Sequence, residues 1–315
     1  MKINKVCVLG GGGFVGRHLV SRLHERGCSV TVPYRNYDRT KHLTVLPTVS
    51  LVEADIHEPD TLQQLFEGMD AVINLVGILH ESKRGDFERA HVDLPRKVVE
   101  ACRATGVKRL LHMSAIGADA SGLSHYQRSK GEGETIVRAA QGEHLAVTVL
   151  RPSVIFGPHD HFLNLFARLL KWTPVFPLGS PNAKMQPVYV GDVAQVFAAA
   201  LNNSATFGQA YELCGPKVYT LQELVEFVAR VKGLERKIVP LSDAMSSLQA
   251  TLLGLMPVKV LTRDNYLSLK TDAVCAFPWP ELFGIQPAAL EAEAPLYLAD
   301  IAPPRFKRFI DETRR

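Results

Sequence analysis

Lys5-Val6-Cys7-Val8-Leu9-Gly10-Gly11-Gly12-Gly13-Phe14-Val15-Gly16 is a short apolar run that breaks into glycine close to the start of the chain. The run has strand character. The triplet Gly10-x-x-Gly13-x-x-Gly16 follows it, and a helical pattern over residues 15–26, closed by Gly27, follows the triplet. A glycine triplet alone marks little more than a turn. Between a strand and a helix it has a specific use. The first glycine allows the tight turn, the second lets backbone approach a pyrophosphate, and the third lets helix and strand pack closely. The free N–H groups and partial positive charge of the helix start then favour phosphate.

Outward from this loop, strand-like runs at 5–9, 29–32, 49–53, 71–75, 109–113 and 146–150 alternate with helical patterns at 59–66, 87–105 and 126–140. Repeated βα units of this kind predict an α/β fold, a Rossmann-type doubly wound parallel sheet. After Arg151-Pro152 the pattern changes. Pro158, Pro174, Pro177, Pro181 and Pro187 crowd the chain, while helices are expected at 161–170, 191–202 and 221–232, with a short strand at 209–214. The expected division is a dinucleotide-binding domain over 1–155 and a smaller C-terminal α/β lobe over 156–315, interleaved with the sheet.

Composition narrows the function classes. Hydrophobic residues at 46% and charged residues at 22% of 315 suit a globular protein with a full core. A net charge of +4 is too mild to imply nucleic acid. Cys7, Cys28, Cys102, Cys214 and Cys275 form no CxxC pair, so the expectation is small core thiols in a reducing compartment, with no metal site. The start is too short before its glycines for a secretory signal, and no apolar run is long enough to span a bilayer. The expected location is cytoplasmic. The apolar stretch 248–260 and the basic-aromatic ending Arg305-Phe306-Lys307-Arg308-Phe309 add peripheral contact with the inner face of a membrane as an expectation.

The second strand leads into Arg35, with Arg39 and Lys41 nearby, where a site for NAD(H) usually offers a carboxylate to the ribose. The guanidinium fork of Arg35 suits a 2′-phosphate, so NADP(H) is expected over NAD(H). Asp55 and Ile56 beyond the third strand are placed for the adenine, and Leu75, Val76 and Gly77 beyond the fourth for its ribose. Tyr126 and Lys130 are four residues apart, hence on one helix face. Beside a nicotinamide the ammonium binds ribose and lowers the phenol's pKa, and the phenol exchanges the proton that accompanies hydride transfer.

Together these residues resemble the short-chain dehydrogenase/reductase superfamily, in its extended and atypical branches. Leu150-Arg151-Pro152-Ser153-Val154-Ile155-Phe156-Gly157-Pro158 resembles the segment that closes over the nicotinamide, which adds Pro152 and Val154, with Met113 before them, to the cofactor-binding set. Pro187-Val188-Tyr189-Val190-Gly191-Asp192-Val193-Ala194 is similar to a downstream strand-to-helix segment. A narrower resemblance rests on His112-Met113-Ser114-Ala115-Ile116-Gly117-Ala118-Asp119, Phe162-Leu163-Asn164, Leu261-Thr262-Arg263-Asp264, and Phe283-Gly284-Ile285 with Leu290-Glu291. These look like the NADPH-binding accessory subunit family of respiratory complex I and its bacterial relatives. Extended members carry a second hydroxyl residue after the fifth strand, where this chain has Ala115; Ser114 is the substitute candidate for the catalytic set with Tyr126 and Lys130.

The resemblance implies an NADP(H)-dependent oxidoreductase acting on an apolar carbonyl or quinone-like substrate. The alternatives left open are a nucleotide-stabilised accessory factor of a respiratory or ubiquinone-making complex and, third, a nucleotide-sugar epimerase.

Overall fold

The computed structural model describes residues 3–254 and 261–299. The ending from 305 to 309 and the segment 255–260 lie outside the described residues.

Strand β1 (Lys5–Leu9) is followed by helix α1 (Phe14–Glu25), β2 (Ser29–Tyr34), β3 (Val49–Glu53), α2 (Pro59–Phe66) and β4 (Ala71–Asn74). Then come α3 (Leu94–Thr105), β5 (Arg109–Met113), α4 (His125–Ala139) and β6 (Ala146–Pro152). The second half supplies α5 (Leu163–Trp172), α6 (Val190–Ala200), β7 (Ala210–Leu213), α7 (Leu221–Val231), α8 (Asp243–Gly254), α9 (Arg263–Ser268) and α10 (Leu290–Leu298). One seven-stranded sheet runs β7-β6-β5-β4-β1-β2-β3, and all its pairs are parallel. The Rossmann-type α/β fold is therefore present.

Each strand of the sheet's centre is apolar on both faces, as a sheet covered by helices requires. Val6, Val8 and Ile73 face a core shared with α1 and α6. Cys7, Leu9 and Val72 face the core under α2 and α3. The chain's second half returns to this sheet, because β7 pairs with β6 and α6 packs beside α1. Arg109, fully buried at the start of β5, holds that return. Its guanidinium donates to the Ala200 carbonyl at 2.9 Å and to Thr206 Oγ1 at 2.9 Å, and stacks over Phe207. A third core, around Phe156, Leu163, Leu224 and Leu290, joins α5, α7 and α10.

Two expectations need correction. The helix expected over 87–105 is not uniform, for a π-helical turn at Arg89–Asp93 precedes α3. Pro95 has no N–H for the carbonyl of His91 four residues earlier, and the helix widens there. The cysteines are not all free thiols, because Cys214 and Cys275 form a disulfide, while Cys7, Cys28 and Cys102 are buried and free. A spacing of 61 residues carries no local sign of such a pair.

Candidate functional site

The order of strands reverses between β1 and β4, and the crevice at their carboxyl ends is where such sheets hold ligands. Gly10 turns the chain there with φ of +81°, and Gly13 N–H closes the turn on the Gly10 carbonyl at 2.9 Å. A Cβ on Gly16 would overlap the carbonyl oxygens of Gly10 and Gly11, so only glycine fits beneath the loop. Gly13 differs. It is the exposed N-cap of α1, and a Cβ there would meet only the Gly10 carbonyl, at 3.1 Å. Its missing side chain leaves open the space in front of the α1 amino terminus. The first turn of α1 carries no acidic residue, so its partial positive charge is not cancelled. Phe14 and Val15 open that turn, Phe14 half-buried and Val15 buried.

Arg17 and the imidazoles of His18 and His42 adjoin the loop, and local patterning did not expose them. Arg17 Nε and His18 Nε2 are buried without a hydrogen-bond partner among the described residues. Burial first, then the charges of Arg17 and His159, lower the pKa of His18 and His42, though Arg17 acts on His18 more than His159 does. His159, from the segment after β6, takes a left-handed backbone with φ of +70°. The signal available in sequence was Arg17-His18 directly after Gly16.

On the β2–β3 side, Arg35 is exposed beyond β2. Asp55 accepts the His57 N–H at 3.0 Å and lies 4.0 Å from Arg89; that backbone bond, with nearby cationic charge, holds its carboxyl below the ordinary range. Ile56 is half-buried beside it. Leu75 is buried and Gly77 exposed beyond β4, and Val76 N–H donates to Asn74 Oδ1 at 3.1 Å. The Leu75 backbone passes so near Gly10 that a Cβ on Gly10 would sit 3.3 Å from it. Adenine-side and phosphate-side candidates thus flank one crevice.

At the carboxyl end of β5, Lys130 Nζ donates to the Met113 carbonyl at 2.7 Å. Burial lowers the Lys130 ammonium to about 8, opposed by the charge of Glu134 one turn on. Glu134 is itself held by a bidentate contact from Arg151 of β6. The Ser114 hydroxyl is buried with no partner among the described residues, and Ala115 beside it has no hydroxyl. Tyr126 is one turn before Lys130 on α4, half-buried, its ring against His91 and Phe87. In the nucleotide-free protein burial pushes the phenol's pKa up to about 12, while the ammonium turns to Met113.

Pro152 ends β6 beside the loop after β5, and Val154, two residues on, packs against the third core. The Ile116 N–H donates to the Pro152 carbonyl at 3.0 Å, and the Ser153 hydroxyl to the Ala273 carbonyl at 2.7 Å. Asp264, marked in the sequence only as the end of the family-like run Leu261-Thr262-Arg263-Asp264, has a structural role that the run did not reveal. Its carboxylate accepts the N–H groups of His125 at 2.7 Å and Tyr126 at 3.1 Å, capping α4 from α9 across the crevice. Among the described residues no group of three or more His, Cys, Asp or Glu is arranged to hold a metal.

Fold and crevice together define a dinucleotide-binding α/β protein. The chain belongs to the NAD dependent epimerase/dehydratase family, whose model matches residues 6–214, and it is an atypical short-chain dehydrogenase/reductase. It is 33% identical over 298 residues to rat NADH dehydrogenase (ubiquinone) 1 alpha subcomplex subunit 9, mitochondrial, covering 91% of this chain and 78% of that one. It is 30% identical to a ceramide reductase of Caulobacter vibrioides, over 76% of this chain and 74% of that one. Among solved structures, Pal from Bacillus thuringiensis superposes with a TM-score of 0.70 at 18% identity, over 93% of this chain and 98% of that one. DesIV of Streptomyces venezuelae, a dTDP-glucose 4,6-dehydratase solved with NAD bound, gives 0.66 at 22% identity, over 75% of this chain and 84% of that one. These two likenesses establish the fold.

Proposed function

We propose that this chain is an NADP(H)-dependent oxidoreductase that reduces an apolar carbonyl or quinone-like substrate. The observation that carries the reading is Lys130 Nζ on the Met113 carbonyl, next to the buried Ser114 hydroxyl, which has no partner among the described residues, with Tyr126 one turn before Lys130 on α4. The nicotinamide, when bound, supplies the hydride. Gly10, Gly13, Phe14, Val15 and Gly16 hold the pyrophosphate. Arg35 takes the 2′-phosphate, with Arg17 adding positive charge, and Asp55, Ile56, Leu75, Val76 and Gly77 bracket adenine and ribose. Met113, Pro152 and Val154 bound the nicotinamide side. Tyr126 donates the proton to the substrate oxygen. Lys130 leaves the Met113 carbonyl for the ribose hydroxyls, and its charge then favours proton loss from the phenol. Ser114 donates a hydrogen bond to the same oxygen, standing in for the hydroxyl that Ala115 lacks.

The likeness to a mitochondrial complex I subunit supports a second reading, a nucleotide-stabilised accessory factor of a respiratory or quinone-making complex. Met245, Leu248 and Leu252 form one exposed apolar face of α8, which under either reading rests on a membrane surface or a partner. Among the described residues no helix is long and apolar enough to cross a membrane. NADPH oxidation with decanal and with a short-chain ubiquinone separates the readings. Turnover of either supports the oxidoreductase; NADPH binding that raises the melting temperature without any turnover supports the accessory factor.

A further inference from the structure

The π turn at Arg89–Asp93 places His91 where no motif marks it. Such turns interrupt helices most often at functional sites. His91 is 2% exposed, and both ring nitrogens are used. Nε2 lies 3.1 Å from the Ile78 N–H, which donates to it, and Nδ1 lies 2.9 Å from Ser129 Oγ. The Ser129 hydroxyl in turn donates to the Tyr126 carbonyl at 3.1 Å. A nitrogen that accepts an N–H carries no proton of its own. A neutral ring therefore has its single proton on Nδ1, pointing at Ser129. Burial, followed by the charge of Lys130, drives the imidazole down to about 2, so it stays neutral at working pH.

The ring also shapes its surroundings. Phe87 stacks on it with centroids 5.4 Å apart, and Tyr126 meets it edge-on at 5.6 Å. Gly77 lies close, since a Cβ there would be 3.7 Å from Nε2. On α4, a Cβ at Gly133 would overlap the His91 carbonyl, so the two helices cross in direct backbone contact.

We infer that His91 is a positioning residue: a neutral, Nδ1-protonated imidazole that ties the loop after β4, through Ser129, to the turn of α4 that carries Tyr126. The inference rests on the oxidoreductase reading for its kinetic consequence, though its two arms are separable. The Ile78 arm governs the loop that lies against the nucleotide. The Ser129 arm governs the helix that carries Tyr126.

Two near-isosteric variants divide them. In His91→Asn the amide nitrogen takes the place of Nδ1 and keeps the Ser129 arm. In His91→Gln the amide oxygen takes the place of Nε2 and keeps the Ile78 arm. Circular dichroism and melting curves establish that both fold. The Asn variant is expected to weaken NADPH binding about tenfold by fluorescence titration while keeping kcat within about threefold. The Gln variant is expected to keep NADPH affinity and lose about tenfold in kcat with decanal or short-chain ubiquinone, whichever the wild type reduces. Tenfold is the scale of one buried hydrogen bond. Equal losses in both variants, on both measures, overturn the inference. Nitrogen-15 spectra of the wild type, which need no substrate, are expected to give the Nδ1-protonated neutral pattern for His91 from pH 5 to 8, and an Nε2-protonated or titrating ring overturns it. Absence of wild-type turnover defeats the oxidoreductase reading alone; NADPH affinity lost in Asn and kept in Gln, with the Nδ1 pattern, still upholds the tether.

Discussion

Lys130→Met should stabilise the nucleotide-free protein while destroying its response to nucleotide. Burial lowers the ammonium from the ordinary 10.5 to about 8. A lowered pKa in a base means that folding disfavours its charged form. Between pH 8 and 10.5 the unfolded chain holds a proton that the folded one has released, so stability rises with pH through that window. Below it the full penalty stands, about 3 kcal/mol by the size of the displacement. Methionine fills nearly the same volume without charge. It loses the 2.7 Å charge-assisted bond to the Met113 carbonyl, which contributes about 2 kcal/mol. At pH 7 the nucleotide-free variant should therefore be about 1 kcal/mol more stable by urea unfolding, and the advantage should shrink as pH approaches 10. With NADPH at 100 times its Kd, the wild type gains about 2.7 kcal/mol and the variant little, so the order reverses. A nucleotide-free variant that is less stable at pH 7, with a pH-independent difference, refutes the reasoning.

Three further outcomes follow from particular contacts. Gly13→Val should cut NADPH affinity at least about a hundredfold by calorimetry with little change in unliganded melting temperature, because Gly13 is exposed with φ of −77° and only the phosphate space is filled. Arg35→Ala should weaken NADPH by about tenfold to a hundredfold and NADH hardly at all, the worth of a charge-assisted contact to the 2′-phosphate; equal losses for both nucleotides refute that role. Cys275→Ser should lower unfolding stability by about 4 kcal/mol under non-reducing conditions, given the 61-residue separation it closes, and alkylation of the unfolded, unreduced wild type should label Cys7, Cys28 and Cys102 alone.

Much of the sheet was legible because βα periodicity is local. The strands Lys5–Leu9, Val49–Glu53 and Arg109–Met113 and the helix Pro59–Phe66 fall where the apolar pattern, Pro59 and the glycines place them. The glycine loop and the Tyr126–Lys130 spacing were legible for the same reason. What was hidden depends on contacts between distant segments. Asp264 reaches the α4 amino terminus across 138 residues, and nothing in its own surroundings announces a cap. Cys214 looked like a strand hydrophobe because its partner, Cys275, is on a remote loop. The π turn was hidden by a helical pattern that runs through it unbroken. Pro95, interior to the helix expected over 87–105, is its local trace, and in the structure it sits in the first turn of α3. The phenol's raised pKa belongs to the packing of Phe87 and His91 around it, which spacing on one helix cannot express.

The most direct test of the oxidoreductase reading is Tyr126→Phe, compared with wild type for NADPH affinity and for NADPH oxidation with decanal or short-chain ubiquinone. The ring contacts with His91 and Phe87 survive the change, and only the hydroxyl is removed. If Tyr126 supplies the proton, kcat falls by at least about a hundredfold while NADPH affinity stays within about twofold. Wild-type turnover that persists undiminished in Tyr126→Phe contradicts it.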